Sequence, residues 1–382
     1  MPHIVVTALT ILGYGVAVVG AAYAAAALWR VWSLPGASTA PGGGPPITIF
    51  KPVRGAEPNL AVNLRSFCEQ AYPEFQVLFG VRDPRDPAIP VIEPLVREFA
   101  HRGAALIVDP TISGSNYKIA NVANMMAHAR HDIFVVADAD CRVGPGYLSD
   151  IAASFSVPAV GAVTCVYRGA PLSARLADRL GAMFINEGFL PSVRIALLVE
   201  PLRYCFGATM AVRRGVLDAI GGVGRLGSYL ADDYMLGRLV SESGFKVALA
   251  PHIVEVTVAE SGLKGLWRHE LRWARTMRTV RPVGYALGGL TDAVPITMLW
   301  AAATGFDGFA VGLAGIALGL RVLTHFAARK RLQLESPASP WLVPIRDVLT
   351  FVLRVASFTG RRVAWQNHDF LVRPDGQMVV RK

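Results

Sequence analysis

Ile133-Phe134-Val135-Val136-Ala137-Asp138-Ala139-Asp140 is the stretch that decides the fold. Four apolar residues, mostly β-branched or aromatic, run straight into two carboxylates. A continuous apolar run of this length reads as a strand buried on both faces, as in parallel sheets. Its end then lies at the carboxyl edge of the sheet, where open α/β sheets bind ligands. Asp138 and Asp140 stand two apart. Where the chain begins to turn, both can reach one hard cation, which takes oxygen ligands. Alone the pair is a weak signal, because Asp is common in loops after strands.

The flanking sequence repeats the pattern. Residues 47–50 form a strand stopped by Pro52 and Gly55, and Leu60, Asn63, Leu64 and Phe67 follow at helical spacing. Residues 75–81 form a second strand ending at Arg82-Asp83; Pro84, Asp86 and Pro87 then turn the chain into a helix carrying Ile92 and Val96. Residues 105–108 form a third strand. Strands alternating with helical patterns predict an α/β fold with a mostly parallel central sheet. Downstream, residues 159–166 read as a strand, 205–212 as a strand interrupted by Gly207, and 245–250 with 254–258 as a strand pair. A glycine within a strand allows close backbone approach to a ligand.

Two further charged positions stand at helix starts. Lys118 opens a helix with Ile119, Val122, Ala123 and Met126 on one face. The helix dipole disfavours a cation there, so an anion is expected to compensate it; a solvated surface lysine is the other reading. Asp232 and Asp233 open an amphipathic helix through Val240. Helix capping accounts for one of these acids more readily than for both.

Composition points to a membrane protein with a soluble part. Of 382 residues, 53% are hydrophobic and only 17% charged, against roughly 25% charged in ordinary soluble domains. The mean hydropathy is +0.40. The formal charge of +10 is scattered and gathers near apolar segments. Cytoplasmic bias and anionic lipid explain that better than nucleic acid does. Cys68, Cys141, Cys165 and Cys205 have no metal-site or disulfide spacing, and read as reduced, partly buried thiols.

Residues 4–28 carry no charge and are long enough to span, which favours an anchor over a cleaved signal peptide. Arg30, Lys51 and Arg54 follow it and place that side in the cytoplasm. Residues 38–46, rich in Gly, Pro and Ala, read as a linker. Residues 173–189 form a mixed helical stretch fit to skirt a membrane. Residues 263–279 make a basic amphipathic helix at a membrane surface, with His269, Glu270, Arg272 and Trp273 among its residues. Residues 283–304 and 309–327 read as a spanning hairpin, and the basic run 328–331 returns the chain to the cytoplasm. Residues 341–358 carry Arg346, Asp347 and Arg354, and read as interfacial or re-entrant. The tail shows a Pro374-Asp375-Gly376 turn between short strands.

Three acidic strand or loop ends (Asp83, Asp138/Asp140 and Asp232/Asp233), a lysine and an Arg-Trp helix are the parts a nucleotide-sugar transfer needs. One acid contacts the nucleoside and another holds a divalent cation across the diphosphate. A third takes the acceptor proton, and cations steady the leaving group. In this order the motifs Val81-Arg82-Asp83, Asp138-Ala139-Asp140, Asp232-Asp233-Tyr234 and His269-Glu270-Leu271-Arg272-Trp273 resemble the inverting GT-A glycosyltransferases of family 2/21 type. The branch most similar is the ceramide glucosyltransferase-like one. The likeness spans residues 47–278, and the Lys118 loop resembles the branch's substrate loop.

The resemblance implies a GT-A domain over residues 47–280, between an anchor (1–33) with its linker (34–46) and a transmembrane hairpin (281–328). An interfacial or re-entrant helix and cytoplasmic tail (329–382) complete the chain. It implies Asp83 and Asp138 at the uridine, Asp140 with Asp138 at Mg²⁺ or Mn²⁺, and Lys118 and Arg272 at the diphosphate or sugar. Trp273 packs by the acceptor or donor sugar, His269 is placed by the donor, and Asp233 is the general base. Asp86 is a rival for Asp83, and Asp232 for Asp233. His269 stands where the family has Gln or Arg, and Asp140 is present where the ceramide branch tends to lack it. The pattern is most similar to the bacterial hopanoid-associated transferases of this branch. They imply a UDP-N-acetylglucosamine donor, a polyhydroxylated hopanoid acceptor and a multi-pass inner-membrane protein facing the cytoplasm. A ceramide glucosyltransferase using UDP-glucose and a non-catalytic membrane scaffold are the alternatives.

Overall fold

The computed structural model describes residues 2–34, 42–360, 362–365, 368–373 and 376–380. The chain divides into two compact units. A sheet unit comprises Pro35–Leu172, Glu200–Ala259 and Gly376–Lys382; a helical unit comprises Met1–Leu34, Ser173–Val199 and Glu260–Asp375. The family resemblance implies one GT-A domain over residues 47–280, a division by sequence rather than by packing. The structure instead groups Ser173–Val199 and the start of the 260–375 segment with the apolar helices.

The sheet unit is built on β1 (Ile47–Pro52), β2 (Phe75–Val81), β3 (Ala105–Val108), β4 (Ile133–Val136), β5 (Cys141–Arg142), β6 (Val160–Pro171), β7 (Met210–Arg213) and β8 (Lys246–Val258). Their order is β3-β2-β1-β4-β7-β6-β8-β5. β1 pairs in parallel with both β2 and β4, Phe50 lying opposite Leu78 and Val136. β7 runs antiparallel to β4 and β6, so the sheet is mixed beyond β4. β4 is buried at all four positions and β2 at all seven, as expected of central strands covered on both faces. Phe50 and Phe134 meet edge to face at 5.4 Å between centroids, a contact worth about 1 kcal/mol beyond its burial. β1, β2 and β4 all end at one edge of the sheet, which brings their following loops together.

Two expectations in this unit are corrected. Residues 245–250 and 254–258 are not a strand pair: they are one strand, β8, running through Pro251. Pro251 does not end the strand. β8 pairs in parallel with β6, with a register irregularity at Thr164/Val166, opposite the Leu249-to-Ile253 segment that contains the proline. Residues 205–212 are a strand only from Met210; Phe206 and Thr209 form an isolated bridge around Gly207 and Ala208. All four cysteines are free and buried.

In the helical unit, among the described residues, two helices are long and apolar enough to cross a membrane, Thr7–Trp32 and Gly308–Arg331. The stretch expected as a span at 283–304 is broken. Pro282–Thr291 and Ala293–Ala303 meet at a 62° bend. Gly288 and Gly289 precede the bend, and at it Asp292 turns its carboxylate to Arg354, with Nε–Oδ2 at 2.7 Å. An ionised Asp is too costly to leave unpaired within an apolar stretch. Of the stretch 173–189 expected to be helical, the helix begins at Leu176 and includes a π-helical turn at Phe184–Phe189.

The helix Leu342–Ser357 buries charges beside its apolar Leu342, Val343 and Leu353. Ile345, Val348, Val352 and Val355 are exposed, while Arg346 and Asp347 are buried. Each of its charges has a partner on another element. Arg346 forks onto Glu270, Asp347 takes Arg321 at 2.8 Å, and Arg354 takes Asp292. His325 bridges two elements, with Nδ1 2.7 Å from Glu187 Oε1 and Nε2 accepting from the Ser339 amide at 3.0 Å. In the tail, Arg362–Trp365 pairs antiparallel with His368–Val372. Pro374 and Asp375 of the expected turn lie outside the described residues, as does part of the expected linker.

Candidate active site

The acids of the sheet unit converge where the loops after β4 and before β7 meet the starts of two helices. Asn116 is fully buried and caps the helix Tyr117–Met126, its Oδ1 accepting from the amides of Lys118 (3.0 Å) and Ile119 (3.2 Å). Its Nδ2 donates to the Tyr229 carbonyl at 2.9 Å and to Asp232 Oδ1 at 3.2 Å. One side chain therefore ties the Lys118 helix to the turn that presents Asp232 and Asp233.

Lys118 Nζ lies 2.7 Å from Asp138 Oδ1 and 3.3 Å from Asp232 Oδ2. The anion expected at this helix start is thus the protein's own pair of carboxylates, and the surface-lysine reading fails. Burial alone would lower the Lys118 ammonium, but the charges of Asp138 and Asp232 outweigh it and raise it above its usual value. Gly207 marks the meeting point. A Cβ there would stand 3.2 Å from Asp138 Oδ2, 3.5 Å from Asp233 Oδ2 and 3.8 Å from Lys118 Nζ. The absent side chain leaves room among the three charged groups.

Asp233 Oδ1 accepts from the Tyr234 amide at 2.7 Å. Burial, then the charge of Asp232, push its carboxyl up to about 6. Asp140 is likewise pushed up to about 6, by burial and then by Asp138. Among the described residues no three His, Cys, Asp or Glu side chains are grouped to hold a metal ion. The Asp138/Asp140 pair nevertheless fits a hard divalent cation. The donors are all oxygen, and two partly buried acids repelling each other are what a cation would relieve. Mg²⁺ in particular needs only one or two protein carboxylates beside substrate phosphate and water.

Asp83 and Asp86 separate cleanly. Asp86 is consumed by structure, accepting from the Gly55 amide with both oxygens (2.9 and 3.0 Å) and from the Ala88 amide at 2.8 Å. Asp83 accepts from the Arg85 amide and keeps a side chain that is 58% exposed. Of the two, Asp83 is the one a ligand can reach.

The expected (Q/R)-x-x-R-W element belongs to the helical unit, on the helix Leu263–Val280. His269 Nδ1 lies 2.8 Å from Glu260 Oε1, and its ring sits 4.2 Å from that of Trp273. Trp273 also stacks on Phe184 at 6.0 Å. Glu270, between them, is buried against Arg346.

Sequence reasoning missed two groups beside Asp138 and Asp140. Glu57 lies in the loop leaving β1. Loss of solvent, then the charges of Asp140 and Asp138, raise its carboxyl above the usual range; because the residue is exposed by surface area, the rise is smaller than full burial would give. An acid in a loop at the same sheet edge as Asp83 and Asp138 was the available signal. Lys51, taken above as a cytoplasmic flanking charge, is instead fully buried near the end of β1. Burial lowers it to about 8 against the opposing pull of Cys141, Asp138 and Asp140.

The sequence model of glycosyl transferase family 21 matches residues 12–378. The chain belongs to glycosyl transferase family 21. It is 25% identical over 263 residues to ceramide glucosyltransferase 1 of Caenorhabditis elegans, covering 67% of this chain and 55% of that one. It is 32% identical over 107 residues to the ceramide glucosyltransferase of Komagataella phaffii, covering 27% of this chain and 21% of that protein. The family 21 chain thus spans about half the length of the Caenorhabditis relative. Among solved structures, it is similar to a mannosyltransferase from Pyrobaculum calidifontis in complex with GDP-Man and Mn²⁺. The TM-score is 0.51 at 20% identity, over 89% of this chain and 98% of that one. That likeness supports a GT-A-like fold.

Proposed function

We propose that this family 21 protein is a membrane-bound inverting hexosyltransferase that moves a sugar from a UDP-sugar to a lipid hydroxyl. The observation that carries the reading is the convergence of Asp138, Lys118 and Asp233 on the space beside Gly207. There a proton acceptor, a cation and a donor-side acid stand within reach of one reacting centre. The best donor is UDP-N-acetylglucosamine and the best acceptor a polyhydroxylated hopanoid, both on motif resemblance. The names of the two relatives favour a second reading, UDP-glucose and ceramide, with the same mechanism.

In this mechanism Asp83 and Asp138 hold the uridine part, and Lys118 steadies the diphosphate. Arg272, Trp273 and His269 keep the donor-side roles that the motif implies. Asp233 takes the proton from the acceptor hydroxyl as that oxygen attacks the anomeric carbon from the face opposite the diphosphate. The carbon–oxygen bond to UDP breaks, its electron pair leaves with the phosphate oxygen, and the anomeric configuration inverts. Asp138 and Asp140 would hold Mg²⁺ or Mn²⁺, which when bound supplies positive charge to the departing diphosphate. The catalytic unit faces the cytoplasm of a bacterial inner membrane, where UDP-sugars are supplied, with the apolar helices in the bilayer.

The test is UDP release by the detergent-solubilised protein, offered each donor with a hopanoid polyol or a ceramide, with and without Mg²⁺ or Mn²⁺. Release only with UDP-N-acetylglucosamine and the hopanoid supports the first reading; release only with UDP-glucose and ceramide supports the second. Metal-independent or absent UDP binding would leave the scaffold.

Two outcomes follow from the acids. Asp140→Ala is expected to raise the metal concentration for half-maximal activity by more than about 10- to 100-fold, the loss that even a partner behind a metal ligand causes. An unchanged metal requirement refutes the assignment. The pH profile of kcat/KM should rise through about pH 6, where Asp233 and Asp140 lose their protons. Both folded values lie above the ordinary carboxylate range, so activity is lost on acidification earlier than a normal Asp would allow. Because the cation competes with the Asp140 proton, more metal should move part of that limb to lower pH. A profile flat from pH 5 to 8 would contradict both roles.

A further inference from the structure

We propose that Lys51 is a positioning residue for the Asp138-Ala139-Asp140 turn, its buried ammonium fixing from beneath where the two carboxylates point. The inference rests on the donor-site reading above. Lys51 is the penultimate residue of β1, which lies between β2 and β4, and it has no exposed surface. Its Nζ donates to the Asp138 carbonyl and stands 3.6 Å from the centroid of the Phe67 ring. The ring supplies the face a desolvated cation prefers.

The rest of the turn is held from other elements. The Asp138 carbonyl also accepts from the Cys141 amide at 3.3 Å, and the Asp140 carbonyl from the Thr257 amide at 3.0 Å. Asn63, buried, directs its Nδ2 to the Ala139 carbonyl and to Thr257 Oγ1, each at 3.5 Å. Every carbonyl of the turn therefore has a donor, and only Lys51 brings charge. Lys118 and Lys51 divide the work on Asp138. Lys118 meets the carboxylate and is shared with Asp232. Lys51 meets the backbone. A fully buried ammonium is costly, and a Met would fill the same space without that cost. What Met lacks is a positive charge under two adjacent acids.

The test uses the full-length protein in detergent and measures UDP binding by calorimetry with and without Mn²⁺. Wild type, Lys51→Met and Lys51→Arg are compared. Lys51→Met is expected to weaken the Mn²⁺-dependent UDP affinity at least about tenfold, the scale of lost support behind a metal ligand. The number of sites should stay near one. Lys51→Arg keeps the charge and should stay nearer wild type than Lys51→Met. A merely structural role would lower the fraction of competent sites and leave Kd alone.

A Lys51→Met protein that binds UDP and Mn²⁺ with wild-type Kd overturns the inference, whatever its site number. Should that variant not fold, Asn63→Leu takes the donor from the next carbonyl of the same turn and leaves Lys51 in place. A weaker Mn²⁺-dependent Kd is expected in it, and an unchanged Kd overturns the clamp. Wild type binding UDP without regard to Mn²⁺ would instead overturn the donor-site reading, and this inference with it.

Discussion

Asp233→Asn is expected to lower kcat by about 10²–10⁴-fold, the usual contribution of a general base, while the Kd for UDP stays within the scatter of wild type. The two neighbouring acids are unequal in this structure. Asp232 is buried and committed, with Oδ1 on Asn116 and Oδ2 3.3 Å from Lys118. Asp233 uses Oδ1 on its own helix amide and turns Oδ2 toward the space beside Gly207. A base needs a reachable oxygen and a pKa near the working pH. Asp233 has both, the second because burial and Asp232 push it up to about 6. Asp232→Asn should act differently. It removes a charge that holds Lys118, so nucleotide binding and stability fall together with turnover. Asp233→Asn with wild-type kcat, or with UDP affinity lost to the same extent as turnover, would remove Asp233 from the base role.

The sequence made the local elements plain and hid the pairings. Residues 75–81, 105–108 and 133–136 form strands where their apolar runs stand. The order of acids along the chain was enough to resemble a family that the whole-chain comparison then identified. Lys118 shows where local reading stops. Its helix-dipole conflict was legible, but its partners lie 20 and 114 positions away and are visible only in space. Lys51 was misread because a lysine near an apolar segment is usually a flanking charge. That it lies in a strand buried between two others depends on the sheet order. The choice between Asp83 and Asp86 likewise needed the Gly55 amide, a contact no spacing rule supplies. The broken span at Asp292 was hidden because its compensating charge, Arg354, is 62 residues on.

Glu270→Leu and Arg346→Met are each expected to cost about 3–5 kcal/mol of stability, because each leaves one buried charge without its counter-ion. Arg346 is 1% exposed and Glu270 4%. They meet through two bonds of 2.8 and 2.7 Å. Arg65 and Glu98 form the same two-bond fork at 2.7 Å, with side chains 39% and 49% exposed. Breaking that pair should change stability far less, since water screens and replaces it. Distance is the same in the two cases and burial decides the difference. The double variant Glu270→Leu/Arg346→Met removes both charges and their desolvation cost together, so it should recover most of the lost stability. Thermal unfolding of the four proteins in detergent reads this directly. Near-additive losses in the double variant would mean that the pair is not an isolated fork and that the Leu180 carbonyl and Thr350 hydroxyl, which Arg346 also contacts, carry the cost. Recovery of stability has a functional corollary. Glu270 shares its helix with Arg272 and Trp273, so a stable double variant with impaired turnover would show that the fork orients that helix as well as holding it.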